Sequence, residues 1–302
     1  MSKLSRPGNL DLFLLLLVAA IWGSAFTSIK IAIVDMGALW TAAIRVFVGF
    51  LAVLPFLAFQ REIPGSAKTW VLIALVSLLN MVIPFILISW AMKHTEAGVG
   101  SLLLGTTPFI AMLIGHFATD DERITRMKMF SVLLAVSGIA VLVGADAIAG
   151  LGVASIWAQL SVIGAGACYV CAGFIMRRID MAPIAFTTFA LGTGSVMLIL
   201  LSFIFAGMPN TSPNPETVYS LIWLGVFSTG FAYVMRYFLV KRVGVSTFAL
   251  AMNTVPIFGI IIAAILLGEV VEWTTMAALV LVLSGLMVAR FDNSRLEQSV
   301  VG

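Results

Sequence analysis

Charge is scarce in this chain. Of its 302 residues, 17 are Lys or Arg and 14 are Asp or Glu, 10% of the total, where an ordinary soluble domain carries about 25%. Histidine and cysteine number two each, too few for a disulfide framework or a four-ligand zinc site. With 10 Pro and 26 Gly, the chain is neither collagen-like nor low-complexity. No phosphate-binding loop, G-x-S-x-G elbow or dinucleotide fingerprint occurs, so the sequence gives no basis for ATP drive, for an enzyme or for a cofactor. A net charge of +3 is too weak to imply a nucleic-acid partner. What the chain has instead is 61% apolar residues and a mean hydropathy of +1.13. A soluble fold of that composition would be left with an oily surface. The reading is an all-α polytopic membrane protein embedded in the lipid bilayer.

A helix needs about 20 apolar residues to cross the hydrocarbon core, and ten stretches qualify: 12–29, 38–59, 69–91, 97–119, 129–145, 156–176, 183–207, 217–240, 245–268 and 273–289. The first is longer than the core of a signal sequence, and Trp22 and Lys30 fit a cleavage site badly, so it is read as a retained span. With the N-terminus inside, Lys3, Arg6, Arg61, Lys68, Arg123, Arg126, Lys128, Arg177, Arg178, Lys241, Arg242, Arg290 and Arg295 fall in cytoplasmic segments and only Lys93 falls outside. Lys and Arg resist translocation, so this bias orients both termini inward.

An offset of 148 residues brings uncommon features into register. Pro108 meets Pro256, Lys93 meets Lys241, Lys30 meets Arg178, Asp121 meets Glu269, and the pair Ala111/Gly115 meets Gly259/Ala263. The expected organisation is therefore a duplication, residues 1–150 and 151–302. Five helices per half is an odd number, so the two halves run in opposite orientations. Inverted repeats of this kind are the architecture of many secondary transporters.

Such carriers bind near the bilayer midplane, where matched interrupted helices meet. Pro108 and Pro256 each remove an N–H and release the carbonyl four residues back, that of Leu104 or Met252. Thr106 and Thr107 stand beside the first break, and Asn253 and Thr254 beside the second. Each break reads either as a kink patched by threonine hydroxyls or as part of a binding site. At the same depth lie Trp22, Ser24, Asn80, Tyr169, Thr229 and Tyr233. Together they describe an aromatic-walled cavity with a few hydrogen-bonding groups, although simple packing explains Trp22 and the tyrosines as well. Arg45, about seven residues inside span two, has two readings: a receptor for a substrate carboxylate or, preferred, a structural residue snorkelling or bonding a helix end. Lys30 and Arg236 read as anchors.

No Asp or Glu lies deep in any span, which argues against proton coupling through a buried carboxylate. Cys168 and Cys171 form a C-x-x-C on a transmembrane helix and are read as packing, and Asp120-Asp121-Glu122-Arg123 as a solvated loop.

Trp22-Gly23-Ser24-Ala25-Phe26 followed by Lys30, then Ala43-Ile44-Arg45, Pro108, Pro256 and Gly268-Glu269 resemble the EamA-type branch of the drug/metabolite transporter superfamily, and within it the YddG-type bacterial amino-acid exporters. The resemblance runs from about residue 12 to 290. It implies a ten-helix carrier of the bacterial inner membrane moving amino acids and related metabolites outward, with Ala111, Gly115, Gly259 and Ala263 at the family's small-residue packing positions between repeats. The chain is expected to be a monomer or weak dimer. Val170-Cys171 stands where the first half has Trp22-Gly23, so the halves are not interchangeable. Two further readings stand beside the amino-acid exporter. One is a multidrug exporter for organic cations, disfavoured because the first span has no acid. The other is a non-transporting membrane protein such as a scramblase.

Overall fold

A computed structural model describes residues 8–60, 62–118, 124–148, 153–208 and 212–301. Lys3, Arg6, Arg61 and the segment 120–123, with Asp121, lie outside the described residues. Inside hydrocarbon each backbone N–H and C=O must be satisfied within the protein, and long Leu/Ile/Val/Ala runs meet that demand as helices. No strand occurs among the described residues.

The helices are α1 (Asn9–Val53, continued by a 3₁₀ turn Leu54–Phe59), α2 (Ala67–Ser77) and α3 (Ile83–Ala91), then α4 (Ala97–Leu104), α5 (Thr107–Ala118), α6 (Arg126–Ile148), α7 (Val153–Met176) and α8 (Pro183–Ala206). They are followed by α9 (Pro215–Ile222), α10 (Ala232–Val243), α11 (Val245–Met252), α12 (Val255–Leu267) and α13 (Trp273–Val301). Among the described residues nine helical stretches are long and apolar enough to cross a membrane. Large apolar side chains face outward along them, as at Phe59 (82% exposed), Phe117 (86%) and Trp273 (77%). A chain dissolved in water would not leave so many of them uncovered.

The first stretch differs from expectation. Spans one and two were to be joined by a loop from residue 30 to 37; instead helix runs through them, 51 residues from Asn9 to Phe59. At about 1.5 Å per residue this is more than twice a bilayer core. The interruption is one residue, Gly37, at φ 68° and ψ 172°, a conformation essentially confined to glycine.

Two other interruptions match each other. α4 stops at Leu104 and α5 begins at Thr107; 148 residues on, α11 stops at Met252 and α12 begins at Val255. Each prolyl residue sits at the second position of the new helix, where its missing N–H costs nothing. The α2–α3 helix carries a π-helical insert at Leu78–Val82, and the α9–α10 helix one at Trp223–Phe231. Shifted by 148, the first insert falls within the second. Such bulges widen a helix by one residue per turn and concentrate at functional positions.

At one crossing α12 packs on α4 with almost no side chain between them. A Cβ on Gly259 would lie 2.2 Å from the Ser101 Oγ, and one on Gly105 2.6 Å from the Pro256 ring. By contrast α5 packs on α7 and α6, and α11 on α10 and α1; α5 and α11 do not pack on one another. The pair α5 and α11 is therefore not in the arrangement of the pair α4 and α12. Gly259 and Ala263 are both buried, and Gly259 faces Ser101 of α4 and Gly23 of α1.

Gly37→Ala should lower stability by about 1–3 kcal/mol, the cost of forcing a Cβ into that backbone region. The thermal unfolding midpoint in detergent measures it; Gly144→Ala, where a Cβ meets nothing within 4 Å, is the control.

Candidate functional site

Of the polar residues singled out in the sequence, Asn80, Tyr169, Thr229 and Tyr233 cluster with Arg45. α1 approaches the second π segment through small residues: a Cβ on Gly49 would meet Thr229 at 2.6 Å, and one on Gly225 would meet Val48 at 2.4 Å. One turn from Gly49, Arg45 is thus carried against that segment, where its Nε donates to the Thr229 hydroxyl at 3.1 Å. The guanidinium lies over the Phe85 ring, 4.1 Å from its centroid, a cation–π contact from α3. Tyr169 of α7 and Tyr233 of α10 are within electrostatic reach of it. Asn80, in the first π segment, donates to the Tyr233 hydroxyl at 3.4 Å. Both π inserts therefore contribute to one cluster.

Arg45 is only 7% exposed, and among the described residues the other buried charge is Asp11 at 2%. Asp11 has a cation, Arg242, at 2.5 Å. Arg45 forms no salt bridge with any described carboxylate. The guanidinium is buried against a threonine hydroxyl and an aromatic ring.

Trp22 and Ser24 form a separate group on the other side of the same π segment. The Trp22 indole donates to the Ser228 carbonyl at 3.1 Å, the Trp223 indole donates to the Ser24 hydroxyl at 2.8 Å, and the Ser228 hydroxyl donates to the Ile21 carbonyl at 3.2 Å. The first of these bonds answers a carbonyl of the π insert, and together the three tie α1 to it. They make no hydrogen bond to Asn80, Tyr169 or Tyr233.

At the broken helices the threonines take up local carbonyls. Thr106 donates to Leu103, Thr107 to Leu104 and Thr254 to Ala251, each at 2.6 Å. The Leu104 carbonyl released by Pro108 is thus satisfied by Thr107. Asn253 donates its backbone N–H to Leu250, and its half-buried amide side chain has no hydrogen-bond partner among the described residues. Thr107 lies against Gly166 of α7, one turn from Tyr169, which connects the first break to the Arg45 cluster.

Where α4 begins, Glu269 closes the crossing. Its Oε1 accepts from Lys30 Nζ and from the Ala97 N–H, both at 2.8 Å, and its Oε2 accepts from the Gly98 N–H at 3.0 Å. Lys30 also donates to the Thr95 carbonyl at 3.0 Å. A carboxylate on the first free N–H groups of a helix is stabilised by its dipole, and here it belongs to the end of another broken helix. Lys30 is therefore a partner in a three-way seal between α1, α4 and α12, not a simple anchor. Two depressions of about 330 and 420 Å³ flank the pair, and Lys30 lines both.

Phe85, Trp223, Ser228 and the Glu269 cap were not singled out from sequence. Ser228 lies 148 residues after Asn80, and Phe85 lies 148 residues before Tyr233; both are register signals present but unread. Cys168 and Cys171 are free on α7, and no cluster of metal-ligating residues occurs among the described residues.

Nine apolar helical stretches around an isolated buried charge and two matched broken helices place the molecule among multi-pass membrane carriers. The chain belongs to the EamA-like transporter family, whose model matches it twice, at residues 9–144 and 153–291. It is 24% identical to an uncharacterized transporter, YoaV, of Bacillus subtilis over 92% of this chain and 96% of the relative. It is 26% identical to a probable amino-acid metabolite efflux pump of Salmonella typhimurium over 93% and 95% of the two chains. A probable terminal-alkyne amino-acid exporter of Streptantibioticus cattleyicolor is 26% identical over 85% of each. One solved crystal structure shares the fold with a TM-score of 0.66 over 95% of this chain and 98% of its own, at 17% identity.

Glu269→Gln should loosen the seal, because the amide gives up the charge that holds Lys30 and two helix N–H groups. A cysteine at Val99, 8% exposed beside the seal, should then react several-fold faster with a membrane-impermeant maleimide in a Cys168→Ser, Cys171→Ser background.

Proposed function

We propose that this chain is a secondary transporter of the bacterial inner membrane that exports amino acids and related small metabolites by alternating access. The observation that carries the reading is the pair of broken helices: their α4 and α12 halves are packed and sealed by Glu269, while their α5 and α11 halves are apart. A carrier built from two inverted copies reaches its opposite state by exchanging these two arrangements. The break at Gly37 is then the turn between the first two of ten crossings, and residues 1–150 and 151–302 are two inverted five-helix units. The double family match, the helix boundaries repeating after 148 residues and the paired π inserts support the duplication. The Lys and Arg distribution supports N-in and C-in termini, which makes the Glu269 face the outer one. Relatives named as amino-acid efflux pumps and exporters support the cargo. The organic-cation alternative has the unpaired guanidinium of Arg45 against it, since a buried positive charge repels a cation.

Purified protein in proteoliposomes should show counterflow of apolar and aromatic amino acids, and Asn253→Ala should reduce it while the exposed Leu200→Ala leaves it unchanged. Absence of counterflow for every amino acid in a full panel would overturn the cargo. Impermeant labelling of Lys93→Cys and Lys241→Cys in whole cells should reach only the former; equal labelling would overturn the inverted arrangement.

A further inference from the structure

We infer that Arg45 is the receptor for an anionic group of the transported molecule, a carboxylate, and that Asn80, Tyr169 and Tyr233 form the polar rim of that subsite. The inference rests on the transporter reading above and names the chemistry of its site.

A guanidinium inside hydrocarbon is unfavourable even on scales that allow the helix to adjust. Proteins that retain one neutralise it with an acid or use it. The chain does the first elsewhere, where buried Asp11 is paired with Arg242. At Arg45, eight residues beyond Gly37 and so about 12 Å into the membrane along the helix, no described acid answers the charge. The side chain is nonetheless held from several directions. Thr229 fixes its Nε, Phe85 supports one face, and the Gly49–Thr229 contact fixes the backbone beneath it.

That arrangement engages Nε and leaves the two Nη groups without a hydrogen-bond partner among the described residues. Paired guanidinium donors match the two oxygens of a carboxylate. The neighbouring groups fit the rest of such a molecule. The tyrosine hydroxyls and the Asn80 amide offer hydrogen bonds to an α-amino group, and Phe85 with the tyrosine rings offers an apolar wall. A structural arginine needs none of this, and a cation-binding site would be spoiled by it.

The test compares four probes sharing one side chain: L-phenylalanine, L-phenylalaninamide, phenethylamine and 3-phenylpropionate. Binding to the full-length protein in nanodiscs is read by thermal shift and by competition with a radiolabelled amino acid. Wild type should bind the two carboxylates more tightly than the amide and the amine by about tenfold or more, the range for hydrogen bonds to charged groups. Arg45→Gln should remove that preference while leaving the weak binding of amide and amine unchanged, and Arg45→Lys should restore part of it. If wild type fails to distinguish carboxylate from amide, or if folded, monodisperse Arg45→Gln loses all four probes equally, the inference is wrong. If amino acids show no flux yet 3-phenylpropionate binds in an Arg45-dependent way, the subsite stands and the amino-acid cargo falls.

Discussion

A carbonyl released inside hydrocarbon has no water to accept from, and this constraint governs where the molecule can bend. Pro108 and Pro256 break their helices, and Thr106, Thr107 and Thr254 answer within the same turn with hydroxyl bonds of 2.6 Å. In the π insert at Trp223–Phe231 the Ser228 carbonyl is answered from another helix, by the Trp22 indole N–H. Polar side chains thus stand beside the breaks at Pro108 and Pro256 and at this insert.

Close approach is the second determinant. Gly23, Gly105 and Gly259 let α1, α4 and α12 meet at backbone distance, and Gly49 and Gly225 do the same for α1 and the second π segment. In a bilayer, where apolar contact with lipid competes with apolar contact between helices, small residues supply the advantage of closer packing. One of these contacts supports the Glu269 seal and the other carries Arg45, so the recognition group and the closure share α1 as a scaffold.

The apolar helices and two of their breaks were legible in the sequence because hydropathy and prolines are local signals. The helix breaks at Pro108 and Pro256 fall where the covalent chemistry of proline requires. The gap between the first two spans, residues 30–37, is helical: Lys30 and Asp35 interrupt the apolar run, yet only Gly37 leaves helical geometry. The π inserts carry no composition of their own and were invisible, and the register of Phe85 with Tyr233 went unread among 21 phenylalanines. Arg45 was noticed, but whether an acid would meet it depends on partners far along the chain, Thr229 being 184 residues away. Glu269 looked like a loop-edge acid until α4 was brought beneath it, a purely tertiary event.

Gly37 also sets how two distant cations are linked along the chain. Lys30 lies seven residues before it and Arg45 eight after it, with helix on both sides and this one residue outside helical geometry. The backbone angle adopted at Gly37 therefore fixes the course of both arms of α1, the one that brings Lys30 to Glu269 and the one that brings Arg45 to Thr229.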